Sequence, residues 1–181
     1  MRNALIFIVD ALSNLYISMF VLRFILQWIR ASYQNPLAQF VLRVTAPLVV
    51  PARRVLPSVR GLDLPTLVVA IVLECIATAL VFWIVGFVPP VQTFLGSVVL
   101  RLLTLTLWLY CGMILIYVIM SWVADRQYHP IGAALSEIVE PVLRPVRRFV
   151  PPVAGVDLSP LIVVILLQAI IIALPSLLFV P

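Results

Sequence analysis

Four stretches of this chain stay apolar for as long as it takes to cross a bilayer, and that length limits the fold more than any other feature. They run from Leu5 to Ile29, Thr66 to Val88, Phe94 to Val123 and Leu161 to Val180. A hydrocarbon core of about 30 Å needs about 20 helical residues, because within it the backbone must satisfy its own hydrogen bonds. Four such segments in 181 residues leave little chain for a water-soluble core. Composition agrees, with 64% apolar residues, 10% charged and a mean hydropathy of +1.22. The sequence predicts an all-α membrane protein with four transmembrane helices.

The formal charge of +5 is carried by arginine alone, since the chain has no lysine. Nucleic-acid binding would place that charge on a solvated domain with stacking aromatics. Here it lies in two short segments beside apolar helices, where anionic lipid headgroups are the nearer partner and no direct nucleic-acid contact is expected. Cys75 and Cys111 fall inside spans and read as small apolar fillers rather than a disulfide framework. The first apolar run follows Arg2 as a signal peptide would. It is too long for one, carries Asp10, Asn14 and Arg23, and lacks a small-x-small site, so it is expected to remain as a span.

The chain also repeats itself. At a constant offset of 94 residues, Trp28 falls on Trp122, Pro36 on Pro130, and Pro47 and Pro51 on Pro141 and Pro145. Arg53-Arg54 falls on Arg147-Arg148, and Pro57, Gly61 and Asp63-Leu64 on Pro151, Gly155 and Asp157-Leu158. Apolar helices match one another by chance, whereas a shared framework of Pro, Arg, Gly and Asp does not. The repeat divides the chain into residues 1–90 and 91–181. Each unit holds two spans, an even number, so both enter the membrane from the same side as parallel repeats.

Between its spans each unit carries a basic segment. Arg30, Arg43, Arg53, Arg54 and Arg60 lie in the first, Arg126, Arg144, Arg147 and Arg148 in the second, and only Arg2 on the opposite side. The positive-inside rule then makes both segments cytoplasmic, with both termini outside. At about 100° per residue, Ser136, Glu140, Arg144 and Arg147 share one face from Ile131 to Val150. Ile131, Leu135, Ile138, Val142, Val146 and Phe149 share the other, which describes a Pro/Arg-rich amphipathic helix lying in the interface. Gln39, Arg43 and Arg54 repeat the pattern less cleanly. The internal prolines predict a kinked helix, or two short ones, in each segment. Gly61 and Gly155 supply sharp turns, and Asp63 and Asp157 are candidate helix caps, with Ser159 before Pro160 as a rival.

These residues resemble the YggT family of bacterial and plastid membrane proteins. The resemblance rests on Pro47-x3-Pro51-x-Arg53-Arg54-x2-Pro57-x3-Gly61-x-Asp63-Leu64 and on its counterpart from Pro141 to Pro160. It covers nearly the whole chain, Trp28 and Trp122 included. One departure is Leu64-Pro65-Thr66, where the family tends to have Leu-Ser-Pro. The resemblance implies association with osmotic or potassium stress in bacteria. In plastids and cyanobacteria it implies roles in membrane-complex assembly, including b-type cytochrome maturation, and in nucleoid distribution. It transfers no catalytic residue.

Ionisable residues inside spans need partners. Arg23 lies seven residues before Arg30, about 10 Å inward, and Glu74 eleven past Asp63, about 16 Å inward. An arginine side chain can cover that difference, so Arg23 and Glu74 are expected to pair. The second unit has Tyr117 and Gln168 at these positions, as if both charges had been lost together. Asp10 and Arg101, each near an outer helix end, form a second candidate pair. Either pair reads as glue between helices or, with Asn14 and Ser18, as a polar pathway. His129 stands alone, and there is no nucleophile motif, phosphate loop or metal-ligand cluster, so neither enzyme chemistry nor a metal or other cofactor is expected.

Two functions remain. The first is a non-enzymatic membrane scaffold or assembly factor. Its basic platforms, through Arg53, Arg54, Arg144, Arg147 and Arg148, would hold anionic headgroups or a membrane-protein partner. The alternative is a small oligomeric channel or transporter in osmotic or potassium homeostasis. Four helices rarely enclose a pore alone, so that reading requires a homo-oligomer.

Overall fold

The computed structural model describes residues 1–29, 31, 35–56, 62–123, 130–150 and 157–178. The expectations at Arg30, Pro57, Arg60, Gly61, Arg126, His129, Pro151 and Gly155 lie outside them. Helices follow in the order α1 Arg2–Trp28, α2 Pro36–Val55, α3 Leu64–Val85, α4 Val91–Val123, α5 Pro130–Phe149 and α6 Ser159–Leu178. Helices α1, α3, α4 and α6 are long and apolar enough to cross a bilayer. The amphipathic α2 and α5 each join the two spans of one repeat.

Local chemistry sets the helix ends. The Asn35 side chain accepts the Leu37 N–H at 2.9 Å and Pro36 supplies the first helical residue, so α2 begins with a capped N-terminus. Helix α3 ends at Gly86, whose left-handed backbone (φ 77°) lets its N–H return to the Phe82 and Trp83 carbonyls. A residue with a Cβ would be strained there.

Each platform is one continuous helix through its internal prolines rather than two short ones. Pro47, Pro51, Pro141 and Pro145 are all exposed, as are Arg43 and Glu137 one turn before Pro47 and Pro141. The carbonyls these rings leave without a donor therefore face away from the bundle, where headgroups and water can meet them. Ala38, Val41, Thr45 and Val49 form the buried face of α2, and Leu135, Ile138, Val139 and Leu143 that of α5.

Within each repeat the two spans pack together, α1 on α3 and α4 on α6, with α2 or α5 against both. The repeats meet where α4 touches α1 and α3 and where the two platforms touch each other. One core cluster joins them, from Ile17, Val21 and Leu22 through Ile114 and Tyr117 to Ile138 and Leu143. A smaller cluster of Phe20, Val49 and Ala70 sits under α2. Lipid tails are as apolar as these side chains, so burial between spans gains little hydrophobic free energy. Close packing and polar ties between helices must then set the arrangement.

Candidate functional site: two latches and an intramembrane triad

In the first repeat the polar ties converge on Asp63, just before α3. Its Oδ2 accepts Arg53 Nη2 at 2.9 Å and Thr66 Oγ1 at 2.6 Å, and Arg23 Nε lies 3.5 Å away. Arg23 also donates from Nη1 to Thr45 Oγ1 at 2.6 Å, which ties α1 to the buried face of α2. Burial works against the charge on Asp63. The hydrogen bonds from Thr66 and Arg53 and the charges of Arg53 and Arg23 outweigh it, so the pKa lies below 3.8.

The expected capping role of Asp63 is corrected here. Its side chain makes no cap hydrogen bond: Oδ2 serves three side-chain partners, and Oδ1 is buried with none. Asp63 instead latches the end of the platform to the start of the next span.

The second repeat builds the same latch. Arg147 Nε meets Asp157 Oδ2 at 2.8 Å, its Nη1 meets Glu140 Oε2 at 2.6 Å, and its Nη2 donates to the Tyr117 hydroxyl at 3.1 Å. Asp157 Oδ1 accepts the N–H of Ser159, the first residue of α6, at 2.9 Å, so Asp157 supplies the capping acceptor and its rival Ser159 is the donor it serves. Burial again opposes the charge, and the Ser159 N–H and Arg147 lower the Asp157 pKa below 3.8. Burial disfavours the Arg147 cation, but Tyr117, Asp157 and Glu140 hold its pKa above the ordinary arginine value. Positions 53 and 147 thus do one job, 63 and 157 another, and 23 and 117 each reach the latch of their own repeat.

The third cluster spans the repeats. Arg101 on α4 donates from Nη2 to Asp10 Oδ1 on α1 at 2.9 Å and from Nε to Glu74 Oε1 on α3. Thr78 Oγ1 approaches the same Glu74 oxygen at 3.4 Å. The Glu74 side chain is wholly buried (0% exposed), so this guanidinium ties three helices together.

The expected Arg23–Glu74 pair is replaced by these two arrangements, and helix lengths give the reason. At about 1.5 Å per residue α1 is about 40 Å long, longer than a bilayer core. Its excess lies on the platform side, because Arg23 is level with Asp63 rather than well inside. Glu74 is then eleven residues, or about 16 Å, from Arg23's level. Counted from the outer ends, Glu74 is eleven residues below Val85 and Arg101 ten past Val91, nearly the same depth. Arg23 joins the Asp63 latch while Glu74 joins Arg101, so the two expected partners belong to separate clusters. In the second repeat Gln168, the counterpart of Glu74, directs its amide to Cys111 Sγ at 3.8 Å.

The arginine pairs divide. Arg53 and Arg147 reach the latch carboxylates, Arg53 with 46% of its side chain still exposed, while the exposed Arg54 and Arg148, with Arg43 and Arg144, have no carboxylate partner among the described residues. Successive helical residues point about 100° apart, so only one of each pair can face the bundle. The repeated ten-residue spacing from Arg to Asp was the available signal for the latches. Nothing in the sequence marked Thr45 or Thr66. Among the described residues no three His, Cys, Asp or Glu side chains gather as metal ligands would. A groove of about 740 Å³ opens between α1, α3 and α4, lined by apolar and aromatic side chains with Cys75, Thr106 and Tyr110.

Comparison with known proteins matches this architecture to one family. A family model described as CCB3/YggT matches residues 2–84 and again 96–178, two segments that follow the internal repeat. The protein named YggT from Escherichia coli K12 is 36% identical over 168 residues, 93% of this chain and 87% of that protein. A relative from Pseudomonas aeruginosa is 36% identical over 175 residues, 94% of this chain and 87% of its own. A Vibrio alginolyticus protein encoded in the proC 3' region is 36% identical over 169 residues, 92% of this chain and 90% of its own. All three are described as uncharacterised. No solved structure matches.

Proposed function

This chain belongs to the CCB3/YggT family, and on that premise we propose that it is a non-enzymatic scaffold of the bacterial inner membrane. Its platforms α2 and α5 face the cytoplasm and hold anionic headgroups, giving a seat from which a membrane-protein partner or a second copy is organised. The observation that carries this reading is the division of each arginine pair. Arg53 and Arg147 lock the platforms to the spans, which fixes their angle. Arg54 and Arg148, with Arg43 and Arg144, are left exposed on the other side. A basic residue near an anionic surface contributes about 1 kcal/mol, so four amount to about 4 kcal/mol, screened by salt. The channel alternative has less support, because Arg23 and Glu74, two of the residues it would use, are held in separate ion-paired clusters.

The test separates the two kinds of arginine. Replacing Arg43, Arg54, Arg144 and Arg148 by glutamine should leave folding and insertion intact. It should remove preferential binding of phosphatidylglycerol over phosphatidylcholine in native mass spectrometry and impair complementation of a deletion strain. Unchanged lipid preference would refute the headgroup role. Lost preference with full complementation would confine the platforms to seating the protein.

A further inference from the structure

The first platform lies beside the spans, sunk into one leaflet. Asp63 marks the platform-side edge of the hydrocarbon, because the 22 residues of α3 that follow it reach about 33 Å, about the thickness of the core. Val49 of α2 shares a cluster with Phe20 and Ala70. Phe20 lies three residues inward from Arg23 and Ala70 seven inward from Asp63, about 5 Å and about 10 Å. The middle of α2 is therefore about 5–10 Å below that edge, the depth at which an interfacial helix sits. Counted from Val41 at about 100° per residue, the buried Ala38, Thr45 and Val49 fall within about 80° of it. Gln39, Arg43, Val50 and Arg54, all exposed, follow at about 160–220°. Phe40, Pro47, Leu48 and Pro51, also exposed, take about 240–340°. These sectors face the bundle, the headgroups and the acyl chains in turn. Helix α5 gives part of the equivalent apolar edge to the bundle, through Ala134 and Ile138, and leaves Ile131 and Phe149 exposed at its two ends.

The two platforms touch, so both lie in the same leaflet. At the opposite ends of the spans, α3 and α4 are joined only by residues 86–90. A 20-residue helix lying in the plane covers about 300 Å², and a helix standing upright about 80–100 Å². The protein thus fills roughly two to three times as much area in the platform-side leaflet as in the other. We propose that this chain is a wedge that recognises membrane curvature, its partner being a bilayer whose platform-side leaflet is convex. Bending in that sense spreads the headgroups and opens apolar gaps, which Phe40, Leu48 and Phe149 fill. A flat leaflet must itself be spread to admit the same platforms. The Arg53–Asp63 and Arg147–Asp157 pairs tie each platform to the start of the next span, so it cannot lift away as a free amphipathic helix does. The inference rests on the interfacial placement of the platforms, which the headgroup reading shares, and on none of their charge.

The experiment reads orientation against vesicle size. Gln39→Cys puts a thiol on the exposed headgroup sector of α2. The native Cys75 and Cys111 lie inside spans, and the chain without the substitution measures their background. The protein is inserted from detergent into preformed phosphatidylcholine vesicles, either small and sonicated or large and extruded. An impermeant thiol reagent, added before and after lysis, gives the ratio of platform-outward to platform-inward molecules. That ratio should be several-fold higher in the small vesicles, whose outer leaflet is strongly convex. An equal ratio at both sizes would overturn the proposal. Difficulty in moving platforms across the bilayer biases both sizes alike, so only the size dependence reports curvature. Phe40→Gln/Leu48→Gln/Phe149→Gln replaces exposed side chains, so a folded product is expected, and its size dependence should fall. Full size dependence in that folded variant would assign the shape to the spans and overturn the wedge. The four-arginine variant separates this inference from the proposed function. If it keeps both the size dependence and the phosphatidylglycerol preference of wild type, the wedge stands and the headgroup reading fails. If it loses that preference and neither protein responds to size, the reverse holds.

Discussion

Arg101→Gln is the most informative single perturbation of this protein. The wild-type guanidinium is shared between Asp10, at 2.9 Å, and Glu74, whose side chain is wholly buried (0% exposed). Removing it leaves two carboxylates at one depth in the bilayer with no cation between them. Losing one neutral hydrogen bond between spanning helices costs about 0.6 kcal/mol and at most about 1.7 kcal/mol. Leaving a buried charge without its partner costs about 3–5 kcal/mol. The second effect dominates here, and a chain of this size should melt on the order of 10 °C lower. The triple variant Asp10→Asn, Glu74→Gln, Arg101→Gln removes the stranded charges together. It loses only neutral contacts and should fall within about 2 kcal/mol of wild type. The second repeat already carries the neutral Gln168 where the first has Glu74. Thermal unfolding in nanodiscs, followed by intrinsic fluorescence, compares the three proteins. A triple variant as unstable as Arg101→Gln would mean that shape, not charge, ties the repeats, and the reasoning would fail.

Other outcomes follow from the latches and the topology. Asp63→Asn should cost about 3–5 kcal/mol, because Asp63 is wholly buried and serves Arg53, Arg23 and Thr66. Asp157→Asn should cost about 1 kcal/mol or less, because that side chain is 36% exposed; chemical denaturation in detergent gives the order, and a reversed order would contradict the geometry. Both aspartates have folded-state pKa values below 3.8, so their contribution is present above that value and is lost as pH falls through the folded values. The acid limb of the melting-temperature profile should therefore shrink in Asp63→Asn/Asp157→Asn, and an unchanged limb would assign acid lability elsewhere. For topology, Val88→Cys in the linker should react with an impermeant thiol reagent added to intact cells, while Val55→Cys on the platform should not. Reaction at Val55→Cys alone would invert the proposed orientation.

Much of the architecture could be read from the chain. Span length follows from the absence of hydrogen-bonding partners in hydrocarbon, so a run such as Leu161 to Val180 identifies itself. The repeat shows through Pro, Arg, Gly and Asp because these residues do positional work that apolar helices tolerate losing. The face of a platform is legible only in part. Leu135 and Ile138 lie on its apolar side in the sequence pattern and are buried, whereas Ile131 and Phe149 on the same expected side are exposed and the buried face runs through Val139 and Leu143 instead. What escaped were partners drawn from other elements. Asp63 read as a cap because its neighbours in sequence are helix donors, yet its ligands come from α1, α2 and α3.

The sequence by itself determined that this chain crosses a membrane as two parallel copies of one unit, and which short segments lie at its surface. These are properties of hydrophobic length and repeated local chemistry, and they need no knowledge of neighbours. Only the tertiary structure decided which charges meet. Arg23 reaches Asp63 because α1 overshoots the bilayer on the platform side, and Glu74 meets Arg101 because α4 of the other repeat passes at its depth. Depth and proximity between helices depend on how the spans slide and pack against one another, and no spacing within a single helix records that.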